Sequence, residues 1–212
     1  MSLKQKSNPK KYLRAVDRTL GVAIDKIRMD ENRKPDKNYF RSLVESIVSQ
    51  QLSVKASDTI FKRFVEMFVK IGAIKTVRSF PKPHQVLKIS DAKLRSVGLS
   101  GGKVKYVKDL AKKVHNKEVL FNFLHKMTDE EVIEHLVQVK GIGRWTGEMF
   151  LMFSLERPDV FSHGDLGLRN GIMKLYGFKK PPTTKQIEKI VQKWSPHRTL
   201  ASRYLWKSLD NE

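Results

Sequence analysis

A single carboxylate, Asp165, follows a loop and directly precedes a helical stretch at 166–176. Asp is among the preferred N-cap residues, and the positive end of a helix favours a negative charge. Residue type and spacing alone therefore favour a capping role. An ionised carboxylate held at this place could also stabilise positive charge that develops on a substrate, so the capping and chemical roles are compatible.

Upstream of this carboxylate, the sequence predicts two helices joined by a tight turn. Thr128 and Glu131 have the Ser/Thr-x-x-Glu spacing of a capping box, which predicts a helix start. A second helix is predicted from Arg144, because apolar residues recur after it at helical spacing. The chain must therefore reverse within a few residues.

Glycines occupy this predicted reversal. We expect Gly141 and Gly143 to supply the positive φ angles that it needs. The exposed backbone N–H groups of such a turn, beside a helix N-terminus, form a site for a phosphate, and Lys140 and Arg144 add positive charge. An ordinary helix–helix corner is the alternative.

Three segments, in the order 39–53, 139–171 and 194–206, resemble one known family. Their sequences are YFRSLVESIVSQQLS, VKGIGRWTGEMFLMFS followed by DVFSHGDLGLRNG, and WSPHRTLASRYLW. They are similar to the helix-hairpin-helix DNA glycosylases, in the alkylbase branch (3-methyladenine DNA glycosylase II). The resemblance implies a monofunctional enzyme of base excision repair. It would flip an alkylated purine of the 3-methyladenine or 7-methylguanine type out of duplex DNA and hydrolyse its N-glycosidic bond.

The resemblance also implies roles for individual residues. Asp165 matches the family's single catalytic Asp, and Trp145 and Trp206 match aromatic positions of the base pocket, with core packing as the alternative role. Met149 lies in the same pocket region, where some members have Tyr. Lyase-competent relatives carry a nucleophilic Lys at the position of Trp145, which implies that this chain releases the base and leaves the strand intact.

DNA contacts and a cation site follow from the same resemblance. Gln51 matches the side chain that fills the hole left by the flipped base, although a local hydrogen-bonding role at the helix end is equally open. The implied DNA-binding set is Gln51, Ser53, Lys140, Gly141, Gly143, Arg144 and Thr146. Backbone carbonyls of Val137, Val139 and Ile142 would hold Na⁺ or K⁺, and no other cofactor is expected.

The composition agrees with a polyanionic partner. The 212 residues include 42 Lys and Arg against 22 Asp and Glu, a formal net charge of +20. The absence of cysteine excludes disulfides and Cys-ligated clusters. No apolar run reaches the length of a membrane span, and the basic stretch at 1–14 lacks the apolar core expected of a secretory signal. We expect a monomer on double-stranded DNA, in the cytoplasm or nucleoid of a prokaryote or the nucleus of a eukaryote.

Helical periodicity without strand alternation predicts an all-α protein. The family resemblance implies two lobes with an active-site cleft between them. The middle lobe is expected at 36–157, and residues 1–35 with 158–212 would form the other. We expect a frayed basic arm at the N-terminus, a helix at 17–29 and an irregular stretch at 73–89. Another glycine turn at 97–102 leads into a basic helix, which either grips DNA or faces solvent.

Two other functions fit parts of the pattern. A bifunctional glycosylase/lyase for oxidised bases would share the fold and the Asp. A non-catalytic helix-hairpin-helix module would share the hairpin and the positive charge. The first would form a covalent adduct with DNA that borohydride traps, and the second would bind DNA without releasing a base.

Overall fold

The computed structural model describes residues 8–29 and 36–209, and these residues form helices and no strand. The α-helices in chain order are α1 Pro9–Val16, α2 Arg18–Lys26, α3 Tyr39–Ser49, α4 Val54–Lys70, α5 Pro83–Leu87, α6 Asp91–Ser96, α7 Gly101–His115, α8 Asp129–Val137, α9 Arg144–Phe153, α10 Leu166–Leu175, α11 Thr184–Val191 and α12 Arg198–Leu209. Short 3-10 helices lie at Leu124–Lys126 and Gln192–Trp194. Across these described ranges, no helix combines the length and apolarity of a transmembrane span. The predicted all-α class is confirmed.

The chain divides into two compact units. One is Asp36–Phe150, here called the middle unit, and the other combines Met1–Pro35 with Leu151–Glu212, here called the terminal unit. Helix α9 crosses the boundary. The division at 157 expected from the sequence stays a prediction.

The middle unit is built around α3, which packs against α4 and α7. The apolar stripe of α3 is buried: Phe40, Leu43, Val44, Ile47 and Val48. Helical spacing also predicted Leu52 in this stripe, but α3 ends at Ser49 and Leu52 is 40% exposed. Serine side chains accept backbone hydrogen bonds at the starts of the following helices, Ser53 from Ala56 and Ser90 from Lys93. These caps satisfy N–H groups that a helix leaves without intrahelical partners.

The terminal unit places α10 against α12, around a core that includes the fully buried Trp194 and Tyr204. At Gly171 on α10, a Cβ would lie 3.0 Å from the backbone oxygen of Leu205 on α12. A side chain there would force the helices apart, so this glycine allows their backbones to approach closely. The approach fixes where the end of α12 lies along α10.

A buried carboxylate ties the first helices to this core. Asp17 caps α2 through Leu20 N–H, and its Oδ2 accepts hydrogen bonds from Tyr176 at 2.6 Å and from the indole of Trp194 at 3.0 Å. Burial, together with the neighbouring Asp17 carboxylate, raises the pKa of Tyr176. The phenol therefore stays a hydrogen-bond donor, and the carboxylate keeps its partners.

Two of the local predictions were wrong. The basic N-terminal stretch is helical from Pro9 to Val16, capped by the side chain of Asn8, while residues 1–7 lie outside the described ranges. The stretch expected to be irregular at 73–89 contains helix α5, whose first residue is Pro83. Proline is tolerated in the first turn of a helix, where its missing N–H would have no intrahelical partner.

Candidate functional site

The carboxylate of Asp165 is held by two donors in the terminal unit. Its Oδ1 accepts a hydrogen bond of 2.7 Å from Leu168 N–H, as the N-cap of α10, and one of 2.9 Å from the indole N–H of Trp206. Only 8% of the residue surface is exposed. The structure therefore confirms the capping role predicted from the sequence, and it adds an aromatic partner from α12.

Small residues on α10 make this contact feasible. A Cβ at Gly167 would lie 3.0 Å from Cδ1 and Nε1 of Trp206 and 3.1 Å from Oδ1 of Asp165. Gly167 therefore gives the indole room to lie beside the carboxylate. The indole is also tilted against the ring of Phe153, with ring centroids 5.8 Å apart. The predicted pocket residue Trp206 is thus half-buried and engaged with the predicted catalytic residue.

A second carboxylate, Asp159, anchors the loop that leads to Asp165. It accepts hydrogen bonds from Arg198 and Ser195, and Val160 N–H donates to the hydroxyl of Thr199 on α12. Burial would raise the pKa of Asp159, but the bonds from Arg198 and Ser195 outweigh it and hold the pKa below its usual value. Sequence reasoning missed this anchor, because no local pattern links a loop to a helix start about 40 residues later.

The hairpin in the middle unit follows the predicted plan with one correction. Thr128 and Glu131 form the capping box of α8, and α9 begins at Arg144. Gly141 has a φ of +81°, but Gly143 does not lie in the left-handed region, so the prediction of a positive φ there was wrong. One left-handed residue suffices for this reversal, and Gly143 instead offers open space where a side chain would stand.

Arg144 is exposed, but two acids of the protein hold its side chain. Its guanidinium makes a two-pronged pair with Glu130, both bonds 2.7 Å long, and a further contact of 3.2 Å with Glu148. Hydrogen bonding to Glu130 raises the pKa of Arg144 and lowers that of Glu130. The pair ties the starts of α8 and α9 together, so a phosphate would compete with Glu130 for this side chain.

The corner between α3 and α4 presents Gln51 on the surface. Its φ of +56° lies in the left-handed region, which is uncommon for a residue with a side chain. The neighbouring Gln50 donates a hydrogen bond of 2.8 Å from its amide to the carbonyl of Gly141. Ser53 caps α4 through Ala56 N–H.

A cavity of about 510 Å³ lies beside this corner in the middle unit. It is lined by Ser49, Gln50, Gln51, Ser100, Gly102, Lys103, Tyr106 and Trp145. In the terminal unit, another cavity of about 270 Å³ lies beside Phe153 and Arg203. Asp165 is not among the residues that line these two cavities.

The remaining predicted residues differ in exposure. Trp145 is 48% exposed, so core packing does not explain it, whereas Met149 is half-buried. Thr146 is only 4% exposed, so little of this residue is open to a phosphate. Lys140 is exposed, and its N–H donates to Asp109.

The backbone carbonyls predicted to hold a cation lie at the end of α8 and in the turn. Val137 is the last residue of α8, and the carbonyl of Val139 accepts a hydrogen bond of 3.0 Å from Ile142 N–H. Carbonyls at a helix C-terminus carry partial negative charge, which suits a hard cation. Among residues 8–29 and 36–209, no group of His, Cys, Asp or Glu side chains could hold a metal ion.

Comparison with known proteins assigns the family. A family model described as HhH-GPD superfamily base excision DNA repair protein matches residues 44–197. The chain belongs to this superfamily. The matched range begins on α3 and ends just before α12, so it includes the corner, the hairpin and Asp165.

Individual HhH-GPD relatives agree in sequence and in structure. The chain is 36% identical to DNA-3-methyladenine glycosylase 1 of Schizosaccharomyces pombe, covering 84% of this chain and 75% of the relative. The crystal structure of a DNA-3-methyladenine glycosidase from Bacillus halodurans matches with a TM-score of 0.81 and 37% identity, covering 98% of this chain and 91% of the other. The S. pombe 3-methyladenine DNA glycosylase Mag1, solved with abasic DNA, matches with a TM-score of 0.80 and 32% identity, covering 96% and 97%. The predicted helix-hairpin-helix glycosylase fold is confirmed.

Proposed function

We propose that this protein is a monofunctional DNA glycosylase of base excision repair that hydrolyses the N-glycosidic bond of alkylated purines in duplex DNA. The observation that carries the proposal is the mostly buried Asp165 carboxylate, fixed by Leu168 N–H and by the indole of Trp206. Relatives from S. pombe and from Bacillus halodurans, named as DNA-3-methyladenine glycosylase and glycosidase, support the substrate class. The substrates are cationic purines of the 3-methyladenine or 7-methylguanine type.

Asp165 supplies the negative charge that the reaction needs. Breaking an N-glycosidic bond develops oxocarbenium character, and therefore positive charge, on the sugar. A carboxylate oriented in advance stabilises that charge without reorganising, and it can position or deprotonate the attacking water. Because two donors already fix Oδ1, the carboxylate keeps one orientation through the reaction.

The damaged base provides its own leaving-group activation. Alkylation at N3 or N7 makes a purine cationic, so the base departs neutral and needs no acid to protonate it. The electron-rich face of an indole attracts a cation, at about 0.5–2 kcal/mol depending on desolvation. We assign the preference for a cationic base to Trp145, which is 48% exposed, and to Trp206. Met149 contributes apolar surface to the same pocket.

The hairpin is assigned to the DNA backbone. A helix leaves its first N–H groups without intrahelical acceptors, and before the start of α9 Gly141 and Gly143 present no side chain that would hold a phosphate away. Lys140 and Arg144 add charge, and Gln51 fills the space left by the flipped base. The carbonyls of Val137, Val139 and Ile142 would hold a Na⁺ or K⁺ ion, which would add positive charge near the phosphate. The protein is proposed to act as a monomer, in the nucleoid or the nucleus.

The rival lyase mechanism is disfavoured by the residue at position 145. A Schiff base needs an amine nucleophile, and an indole cannot supply one. Borohydride added during the reaction should therefore trap no covalent enzyme–DNA adduct. A trapped adduct would replace the proposal with the bifunctional alternative.

The proposal is tested by incubating the protein with duplex DNA that contains 3-methyladenine. Released base is measured by chromatography, and strand integrity is measured on a denaturing gel before and after alkali. We expect free 3-methyladenine and breaks that appear only after alkali. Tight DNA binding without any released base would instead favour the non-catalytic module.

A further inference from the structure

The turn of the hairpin is held by side chains from other parts of the middle unit. The Gln50 amide donates a hydrogen bond of 2.8 Å to the carbonyl of Gly141. The carboxylate of Asp109 accepts a hydrogen bond of 2.8 Å from the N–H of Lys140. The ring of Tyr106 lies so close to Gly141 that a Cβ there would be 2.3 Å from it. The position of the turn is therefore set from α3 and α7 as well as by its own helices.

Gln50 is itself fixed at the end of α3. The ammonium of Lys103 donates two hydrogen bonds, each 2.7 Å long, to the carbonyls of Gln50 and Val48. Desolvation by burial lowers the pKa of Lys103, although the side chain keeps two acceptors for its protons. Lys103, at the start of α7, was predicted to belong to a DNA-gripping or solvated face. It instead satisfies carbonyls that the last turn of α3 leaves without partners.

Gln51 follows Gln50 directly in the chain. Its left-handed backbone persists only where the surroundings define it, because a residue with a Cβ gains nothing locally from φ of +56°. On one side of this residue, Gln50 is held by Lys103 and Gly141. On the other side, Ser53 caps the next helix, which begins at Val54.

We propose that Gln50 is a positioning residue that couples the α3–α4 corner to the hairpin, so that filling of the DNA stack by Gln51 and the phosphate grip of the hairpin act together. This inference rests on the proposed function, because both elements are assigned to DNA through it. Gln50 contacts no reacting atom in this account. It acts through Gly141 on one side and through Gln51 on the other.

The first test measures the hairpin without DNA. Gln50→Met keeps the length of the side chain and removes the amide donor, while Gln192→Met makes the same change at an exposed glutamine of the terminal unit. We expect hydrogen exchange of residues 139–144 to accelerate about tenfold in Gln50→Met, as the loss of one net hydrogen bond implies. Exchange there should not change in Gln192→Met. Unchanged exchange in Gln50→Met would overturn the proposal.

The second test measures the coupling on DNA. Gln51→Ala and Lys140→Ala are combined in a double-mutant cycle, and the readout is affinity for a duplex that contains a stable abasic-site analogue. With Gln50 present, we expect the loss of affinity in the double variant to differ by about fivefold or more from the combined losses of the two single variants. With Gln50→Met, they should become additive within about twofold. Non-additivity that survives Gln50→Met would overturn the proposal, as would additivity with Gln50 present.

These readouts need no catalysis. Failure of the proposed function would appear as absent base release by the unmodified protein, whereas failure of the coupling would appear in exchange and in the binding cycle. Active protein with an unchanged hairpin in Gln50→Met would refute the coupling alone.

Discussion

The indole N–H of Trp206 donates a hydrogen bond of 2.9 Å to Oδ1 of Asp165, the same oxygen that caps helix α10. One residue thereby starts a helix, receives an aromatic donor from another helix, and carries the charge assigned to catalysis. The cap and the indole contribute to stability whether or not DNA is present. A substitution that keeps both hydrogen bonds can therefore remove the charge and leave the fold intact.

Gly167→Ala tests the spacing of this pair. The new Cβ would lie within 3.1 Å of both Trp206 and Asp165, so the indole or the carboxylate must shift by a few tenths of an ångström. We expect base release to slow about tenfold, because small displacements at a catalytic group are costly. Gly164→Ala is the matched control, since its Cβ would meet nothing within 4 Å. Equal rates for the two variants would show that the spacing is not critical.

Gly141→Ala tests the turn of the hairpin. The substitution combines a φ of +81° with a Cβ 2.3 Å from the ring of Tyr106. We expect a loss of about 3 kcal/mol or more in the free energy of unfolding, from backbone strain and overpacking together. Denaturant unfolding measures this. Adding Tyr106→Ala should relieve only the overpacking. Full recovery of the free energy of unfolding in that double variant would argue against backbone strain at position 141.

Glu130→Gln tests whether Arg144 serves DNA as well as the fold. Loss of the charge on this exposed acid would release the guanidinium from its two-pronged pair. We expect affinity for duplex DNA to rise about threefold at low salt, with a steeper salt dependence as one more cation meets phosphate. Glu134→Gln is the control, an exposed acid one turn further along α8. The same gain in both variants would reflect net charge and not Arg144.

Asp159→Asn tests, through its pH dependence, the anchor of the loop that leads to Asp165. Because the folded pKa of Asp159 lies below 3.8, its ionised form stabilises the fold fully above that value. This contribution is lost as the pH falls through the folded pKa. At about pH 7 the variant should be less stable by about 1–2 kcal/mol, allowing for partial exposure of the pair with Arg198.

The difference in melting temperature between wild type and Asp159→Asn should therefore shrink from about pH 5 downward. Asp58→Asn, at an exposed position on α4, should show no such pH-dependent difference. A constant difference between wild type and Asp159→Asn down to about pH 3 would contradict the role of the ionised carboxylate.

Much of the fold could be predicted because its signals are local. Capping boxes such as Thr128 with Glu131 lie within one turn, and the apolar stripe of α3 repeats every three or four residues. Gly141 was expected to turn the chain and does so at a positive φ. Gly143 was wrongly given the same geometry, because composition does not say which of two neighbouring glycines adopts the left-handed conformation.

The site was only partly predictable. Asp165 and Trp206 are 41 residues apart, and Gln50 and Gly141 are 91 apart, so no periodicity relates them. The family resemblance predicted Asp165 and Trp206 as separate site residues, but it did not predict the contact between them. Nothing in the sequence pointed to Gln50, Asp109 or Tyr106. Such contacts depend on how helices pack, which the pattern of a single chain does not determine.

Release of 3-methyladenine from duplex DNA by wild type and by Asp165→Asn is the most direct measurement. Asn keeps an oxygen that accepts from Leu168 and Trp206, so the melting temperature and the affinity for abasic duplex DNA should be nearly unchanged. Loss of the charge should slow release by about 10²–10³-fold. Equal rates of release by the two proteins would show that Asp165 only caps a helix and that the chemistry resides elsewhere.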